Sequence, residues 1–234
     1  MKLLSSDYDL TLNTIDYDLH INMYYVEKFR KQGNIFLLNT GRSYSGIKKE
    51  IDKFRINFDY LSCYDGNLIL NKEKKVLYIT KLSNLIYYKL DTLHRKYPNF
   101  ELTNYCFKDN NLECGIKYYG DSLSFDIDLS IICQEYGLSF KKYDRFELHN
   151  FKLKKVVYYF IGDKNINKSS STSFVSNLEN IPKCDIFTIG DNHNDYEMVR
   201  DFNGYTFPWG TRNVKEVSCG QVLSVASLVK RIVR

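Results

Sequence analysis

Apolar positions along this chain fall into short continuous runs and into wider-spaced sets, and the two kinds alternate. Lys2 to Ser6 is a short, mostly apolar run that leads straight into two acids, Asp7 and Asp9. It predicts a strand buried in a sheet with the acids at its carboxyl end. Apolar residues then recur at helical spacing at Ile21, Tyr24, Tyr25 and Phe29, Gly33 is placed to stop that helix, and Ile35 to Leu38 is the next buried run. Asn39-Thr40-Gly41-Arg42-Ser43 follows it, a helix is expected over Tyr44 to Lys53, and Tyr60 to Cys63 reads as a third strand. Strands alternating with helices predict a parallel sheet.

From Leu82 the pattern changes. Leu82, Leu85, Ile86, Leu90 and Leu93 predict a helix that Pro98 ends, followed by strand-like segments at Phe100 to Phe107 and Leu112 to Tyr119. Phe125, Leu129, Ile132, Cys133 and Tyr136 predict a second helix closing at Gly137, and strand-like stretches follow near Ser139 to Leu148 and Val156 to Ile161. The strand–helix rhythm then resumes: a helix over Phe174 to Leu178, a buried strand at Ile186 to Ile189, a helix after Asn194, a short strand at Tyr205 to Phe207 and a terminal helix through Val225, Leu228, Val229 and Ile232. The expected organisation is an α/β core over residues 1–81 and 159–234, interrupted by an α+β insertion with largely antiparallel strands over 82–158.

Composition narrows the class. The chain has 234 residues, 44% hydrophobic and 26% charged, ordinary values for a folded globular protein. The longest apolar stretch, Val156 to Ile161, is too short to span a bilayer, and Asp7 interrupts the N-terminus before a signal-peptide core can form. A cytoplasmic protein without membrane attachment is expected. Six cysteines are scattered without a CxxC pair and are expected to be reduced and mostly buried. The formal charge of +5 comes from basic residues spread along the chain, with no nucleic-acid-binding pattern, so a nucleic-acid partner is not expected. A mildly basic enzyme with an anionic substrate fits this balance, and the oligomeric state stays open.

The chemistry concentrates at strand ends. Asp7 and Asp9 stand two positions apart, so both can approach one site, although paired acids in a turn are commonly only solvated. A second buried strand empties into Gly190-Asp191-Asn192-His193-Asn194-Asp195, and open α/β topology brings it to the same edge as Asp7. Acids crowded there repel one another, and a divalent cation is the natural compensation. Oxygen ligands without a Cys/His set favour Mg2+ over zinc. The four histidines, His20, His94, His149 and His193, lack metal-ligand spacing and are expected to be structural or superficial. Asp65-Gly66-Asn67 reads as a plain turn, with a place at the border of the site as the alternative.

These segments resemble the motifs of the haloacid dehalogenase superfamily, in order: Asp7-Tyr8-Asp9-Leu10-Thr11-Leu12, then Asn39-Thr40-Gly41-Arg42, then Gly190 to Asp195. An insertion after the second motif is similar to the Cof-like branch with a type-two (IIB) cap, and the spacing to Asp191 selects Lys168 as that branch's lysine, with Lys164 in reserve. The resemblance implies a Rossmann-like core with a substrate-selecting cap. It implies a phosphatase in which Asp7 attacks phosphorus and Asp9 is the general acid and base. Mg2+ would be held by the Asp7 and Asp191 carboxylates and the Asp9 backbone carbonyl, Lys168 and Thr40 would clamp the transferring oxygens beside Gly41 and Arg42, and Asn194 and Asp195 would order the metal site from behind. Arg42 is expected to pair with a core acid or with substrate. The implied substrate is a small phosphorylated metabolite, a sugar phosphate above all, selected by polar side chains of the cap. Lys141, Lys142, Arg145, Lys152, Lys154 and Lys155 cluster there against Asp144 and Glu147. A sugar phosphomutase of the same superfamily and a non-catalytic binding protein on the same fold are the alternatives. The chain departs from the family pattern at Leu10 and Ser169, where glycine is usual, and over Pro208 to Asn213.

Overall fold

The computed structural model describes residues 1–14, 16–107, 110–120, 122–149 and 152–233. The chain opens with β1 (Leu3–Ser6), α1 (Asp16–Lys31), β2 (Ile35–Asn39), α2 (Tyr44–Phe54) and β3 (Tyr60–Cys63), the alternation that the apolar runs predict. Ser43 starts α2 by accepting a hydrogen bond from the Gly46 N–H at 3.2 Å, which satisfies one of the open amides of the first turn. Two strands that the apolar pattern does not announce follow, β4 (Leu68–Asn71) and β5 (Val76–Ile79), paired antiparallel as a hairpin beside β3. The turn between them, Asn71 to Lys75, carries no glycine, and Lys74 takes the left-handed conformation instead, at φ 62°. That removes the sequence signal by which hairpins are recognised.

The insertion contains α3 (Leu85–Lys96), β6 (Phe100–Phe107), β7 (Asn110–Tyr119), α4 (Leu123–Glu135), β8 (Leu138–His149) and β9 (Lys152–Asp163). Its strands form one antiparallel sheet in the order β6-β7-β9-β8. One face of that sheet packs against Ile86, Leu90 and Leu93 of α3 and Phe125, Leu129 and Cys133 of α4, through Cys114, Ile116, Tyr118, Val157, Tyr159 and Ile161. The alternation along β7 and β9 sends these side chains to one side. The compact unit spans Thr80–Asn165, so its second boundary lies beyond the expected residue 158. The reason is that β9 continues past its apolar stretch to Asp163, paired with β8 throughout. Of the basic cluster, Lys142 donates to Asp126 at 2.6 Å and Ser122 at 2.9 Å, Lys155 pairs with Asp144, and Arg145 lies over the Tyr158 ring.

The core resumes with α5 (Lys168–Leu178), β10 (Ile186–Ile189), α6 (Tyr196–Asp201), β11 (Asn203–Thr206), α7 (Arg212–Val217), β12 (Gly220–Gln221) and α8 (Val225–Ile232). Its sheet runs β12-β11-β10-β1-β2-β3-β4-β5 and is parallel from β12 to β3. Because β1 lies between β10 and β2, with Ser6 level with Ile189 and Leu38, the residues after these three strands emerge side by side. Leu3, Leu37, Ile69, Val175, Ile181 and Ile186 form one buried cluster of this unit. Asn22 of α1 donates to the Leu12 carbonyl and accepts from the Ala226 N–H, tying the first loop and α8 to α1. Cys63, Cys114 and Cys133 are buried, but Cys106, Cys184 and Cys219 are exposed, so the expectation of mostly buried thiols holds for only half of them. Among the described residues no helix is long and apolar enough to cross a membrane.

Candidate active site

β1 delivers Asp7 to the edge of the sheet, and the ladder extends by one bond, from the Asp7 N–H to the Ile189 carbonyl at 3.1 Å. The chain then folds back on itself. The Leu12 N–H donates to the Asp7 carbonyl, the Asn13 N–H to the Tyr8 carbonyl and the Leu10 N–H to the Asn13 carbonyl. Leu10, standing where glycine is usual, takes φ 55° with its side chain exposed, and its carbonyl accepts from the Trp209 indole at 3.2 Å. Trp209 in turn stacks on buried Phe207. The divergent segment over Pro208 to Asn213 thus holds the loop that carries Asp9.

Lys168 is the first residue of α5. Asn167 caps that helix by accepting from the Ser170 N–H, while the Ser170 hydroxyl accepts from the Asn167 N–H. The Lys168 carbonyl accepts from Asn39 at 2.9 Å, which fastens this first turn to the end of β2. Its ammonium is fully buried and donates to Asp7 Oδ1 at 2.6 Å and Asp195 Oδ1 at 2.7 Å. Burial alone would lower the lysine's pKa, but Asp195, Asp7 and Asp65 outweigh it and hold the ammonium above its ordinary value. Asp7 is pushed well above the usual carboxylate range by burial, Lys168 pulls it back, and Asp195 and Asp191 add to the rise.

Asp191 accepts from the Thr11 hydroxyl at 2.8 Å, and burial raises its pKa to about 6. Asp195 has both oxygens committed: Oδ1 to Lys168, and Oδ2 to the N–H groups of Asp191 and Asn192 at 3.0 Å each. It bends the chain after β10 so closely that a Cβ on Gly190 would lie 2.4 Å from that of Asp195. Thr40 is buried beyond the end of β2, its hydroxyl accepting from the Arg42 N–H at 3.1 Å. Gly41 passes Asp65 closely, since a Cβ there would stand 2.9 Å from Asp65 Oδ1.

Asp65 corrects the reading of its segment as a plain turn. Its carboxylate accepts from Asn194 at 2.9 Å and belongs to the field around Lys168, while its N–H donates to the Thr40 carbonyl. The local sequence Asp-Gly-Asn is the same for a solvated turn and for this one, so only the fold distinguishes them. Asn39 opens the Asn39-Thr40-Gly41-Arg42 segment without a role of its own in the sequence, and the fold gives it one as the donor to the Lys168 carbonyl. Arg42 grips Asp9 with two hydrogen bonds, 2.8 Å from Nε to Oδ2 and 2.6 Å from Nη2 to Oδ1. Glu50 and the face of the Tyr8 ring hold the same guanidinium from behind. Of the two options for Arg42, pairing with a core acid is the one formed. Asp9 is half-exposed and lies outside the acid cluster of Asp7, Asp191 and Asp195.

One oxygen of each acid in that cluster lies within 4.8 Å of the others. Three carboxylates face one ammonium, so a divalent cation with oxygen ligands fits the surplus charge. Asp195 has both oxygens engaged by protein donors, so among the described residues Asp7 and Asp191 are better placed to ligate. Because Asp191 binds a proton up to pH about 6 in the metal-free chain, proton and metal compete below that pH. Calorimetric titration with Mg2+ is expected to give weaker binding at pH 5 than at pH 7.5, and an affinity independent of pH across that range would exclude Asp191 as a ligand.

A parallel sheet with buried acids and a lysine gathered at its carboxyl edge, interrupted by a separate α+β unit, defines an α/β enzyme with an inserted domain. The family model for haloacid dehalogenase-like hydrolases matches residues 4–157 and 129–222, and the chain belongs to that family, in its Cof-like branch. Solved structures agree in fold. A phosphatase of the haloalkanoate (HAD) enzyme superfamily from Bacteroides thetaiotaomicron is 16% identical with a TM-score of 0.79, covering 99% of this chain and 94% of its own. A haloacid dehalogenase-like hydrolase from B. subtilis is 11% identical with a TM-score of 0.73, over 100% and 99%. A HAD/COF-like hydrolase from Plasmodium vivax is 15% identical with a TM-score of 0.68, over 100% and 95%. No curated protein matches the chain.

Proposed function

We propose that this chain is a Mg2+-dependent phosphatase that hydrolyses a small phosphorylated metabolite, a sugar phosphate above all, through an aspartyl-phosphate on Asp7. The observation that carries this reading is the buried Lys168 ammonium shared by Asp7 and Asp195, with Asp191 alongside, at the carboxyl edge of a parallel sheet. A nucleophile, a fixed cation and a surplus of negative charge are what phosphoryl transfer requires of a protein.

Lys168 holds Oδ1 of Asp7 and leaves Oδ2 to attack. The bond from Asp7 to phosphorus forms as the bond to the ester oxygen breaks, and Asp9 gives that oxygen its proton. Asp9 then takes a proton from water as the water attacks phosphorus, and inorganic phosphate leaves with the Asp7 carboxylate restored. In the free chain Arg42 occupies both carboxylate oxygens of Asp9. To act as the acid, Asp9 has to release Arg42, which its half-exposed position permits. The Asp7 and Asp191 carboxylates and the Asp9 carbonyl would hold Mg2+, which would supply the positive charge that lets a carboxylate approach a phosphate. The Thr40 hydroxyl and Lys168 hold the transferring oxygens. None of these groups reads the organic part of the ester, a choice that the family resemblance assigns to the insertion.

The test is phosphate release from a panel of phosphorylated metabolites with Mg2+ and with EDTA. Release that needs Mg2+ and no activating bisphosphate is expected. Phosphoryl transfer to a second hydroxyl without free phosphate would make the chain a mutase. The absence of turnover of every ester would reject the catalytic reading.

A further inference from the structure

α4 is apolar on two opposite faces. Phe125, Leu129 and Cys133 pack into the core of the insertion, while Leu123, Ile127 and Ile131, four residues apart, form a stripe on the other side. The remaining positions on that outward side are Ser124, Ser130 and Gln134, with one charged residue, Glu135, in the last turn, where it pairs with Lys89 of α3. A helix lying against solvent on that side would be expected to place charged residues there.

A second apolar surface looks the same way. β9 pairs with β7 only from Val156 onward, so the hairpin of β8 and β9 runs on as a two-stranded ribbon through the pairs Phe146 with Lys155 and Leu148 with Leu153. Lys142 of β8 reaches Asp126 of α4, which identifies the even-numbered positions of β8 as the helix side of the sheet. Phe146, Leu148 and Leu153 therefore share that side, where no helix among the described residues covers them. All six apolar side chains of the stripe and the ribbon are between 57% and 71% exposed.

We propose that these two surfaces form a two-fold dimer between copies of this chain, α4 of each copy lying on the apolar ribbon of the other. The shapes are complementary within one subunit: a helix stands one layer, on the order of 10 Å, above the sheet, and beside it the sheet is bare at the height where a partner's helix would rest. The six side chains expose about 700 Å2 per copy, close to the roughly 800 Å2 per partner of a standard interface. The neighbouring charges are already neutralised inside each subunit, Lys142 by Asp126, Lys155 by Asp144 and Lys96 by Asp128. Docking therefore strands none of them.

The experiment is sedimentation or light scattering of the whole chain at tens of micromolar, where a specific dimer is populated. Twice the chain mass is expected. Ile127→Glu and Phe146→Glu each change an exposed side chain, so circular dichroism should show both variants folded, and each should weaken dimerisation at least tenfold. Mixing the two variants discriminates further, because the mixed pair keeps one intact contact, α4 of the Phe146→Glu chain on the ribbon of the Ile127→Glu chain. Dimers should reappear in the mixture. A wild-type chain that stays monomeric overturns the proposal, as does a dimer indifferent to both substitutions. A dimer weakened by Ile127→Glu alone and not restored by mixing would place α4 against α4 and overturn the seating of helix on ribbon.

Discussion

Asp7→Asn is expected to give a folded chain whose phosphate release falls at least about 10⁴-fold, because the amide keeps the shape of the side chain and cannot attack phosphorus. Its stability should move the other way. Asp7 has a folded pKa raised by burial, so the folded state binds a proton that the unfolded state releases. That linkage favours folding below the unfolded pKa and is lost as pH rises through the folded value, so at neutral pH the carboxylate works against the metal-free fold. Removing it leaves Lys168 paired with Asp195. Thermal unfolding in EDTA at pH 7.5 should therefore give Asp7→Asn a Tm at or above that of the wild type. A variant that unfolds below the wild type would mean that the carboxylate's bond to Lys168 outweighs its burial. Substantial turnover by a pure variant would sink Asp7 as the nucleophile.

Lys168→Met should destabilise the chain far more than Asp7→Asn does. The side chain is fully buried, and its loss leaves Asp7, Asp191 and Asp195 facing one another without a cation. Removing one partner of a buried ion pair costs about 3–5 kcal/mol. Part of that loss should be recovered by Mg2+, since a divalent ion offsets the same charge, so the rise in Tm on adding Mg2+ should be larger for the variant than for the wild type. Turnover should fall by about 10²-fold or more even in the refolded, Mg2+-loaded variant, because one of the groups steadying the transferring oxygens is gone. A variant as stable as the wild type in EDTA would show that the acids are held neutral by protons instead, and that Lys168 does not balance them.

The parts of this protein that were legible in the sequence are those set by contacts close along the chain. The buried strands of a parallel sheet read as continuous apolar runs, and so the residues that follow them, Asp7, Asn39 to Arg42, and Gly190 to Asp195, could be placed at strand ends from Leu3–Ser6, Ile35–Asn39 and Ile186–Ile189 alone. The change of rhythm at Leu82 likewise announced the insertion. Its far boundary was not visible, because the last residues of β9 are held by pairing with Leu138 and Ser139 of β8 and not by an apolar pattern of their own.

Partners were decided by the tertiary structure. Arg42 could have faced substrate or an acid, and it meets Asp9 because the loop after β1, latched by Trp209 from the other end of the chain, puts that carboxylate in reach. Asp65 looks like any turn residue until the fold brings Asn194 and Lys168 beside it. The apolar stripe Leu123, Ile127 and Ile131 has the composition of core, and only packing reveals that α4 offers its other face to Phe100 and Tyr159. In each case the sequence determines what a residue can do through its type and its local backbone. Charge pairing and burial depend on which distant segments arrive, as when Lys168 reaches Asp7 across 161 residues, and that is a property of the folded chain.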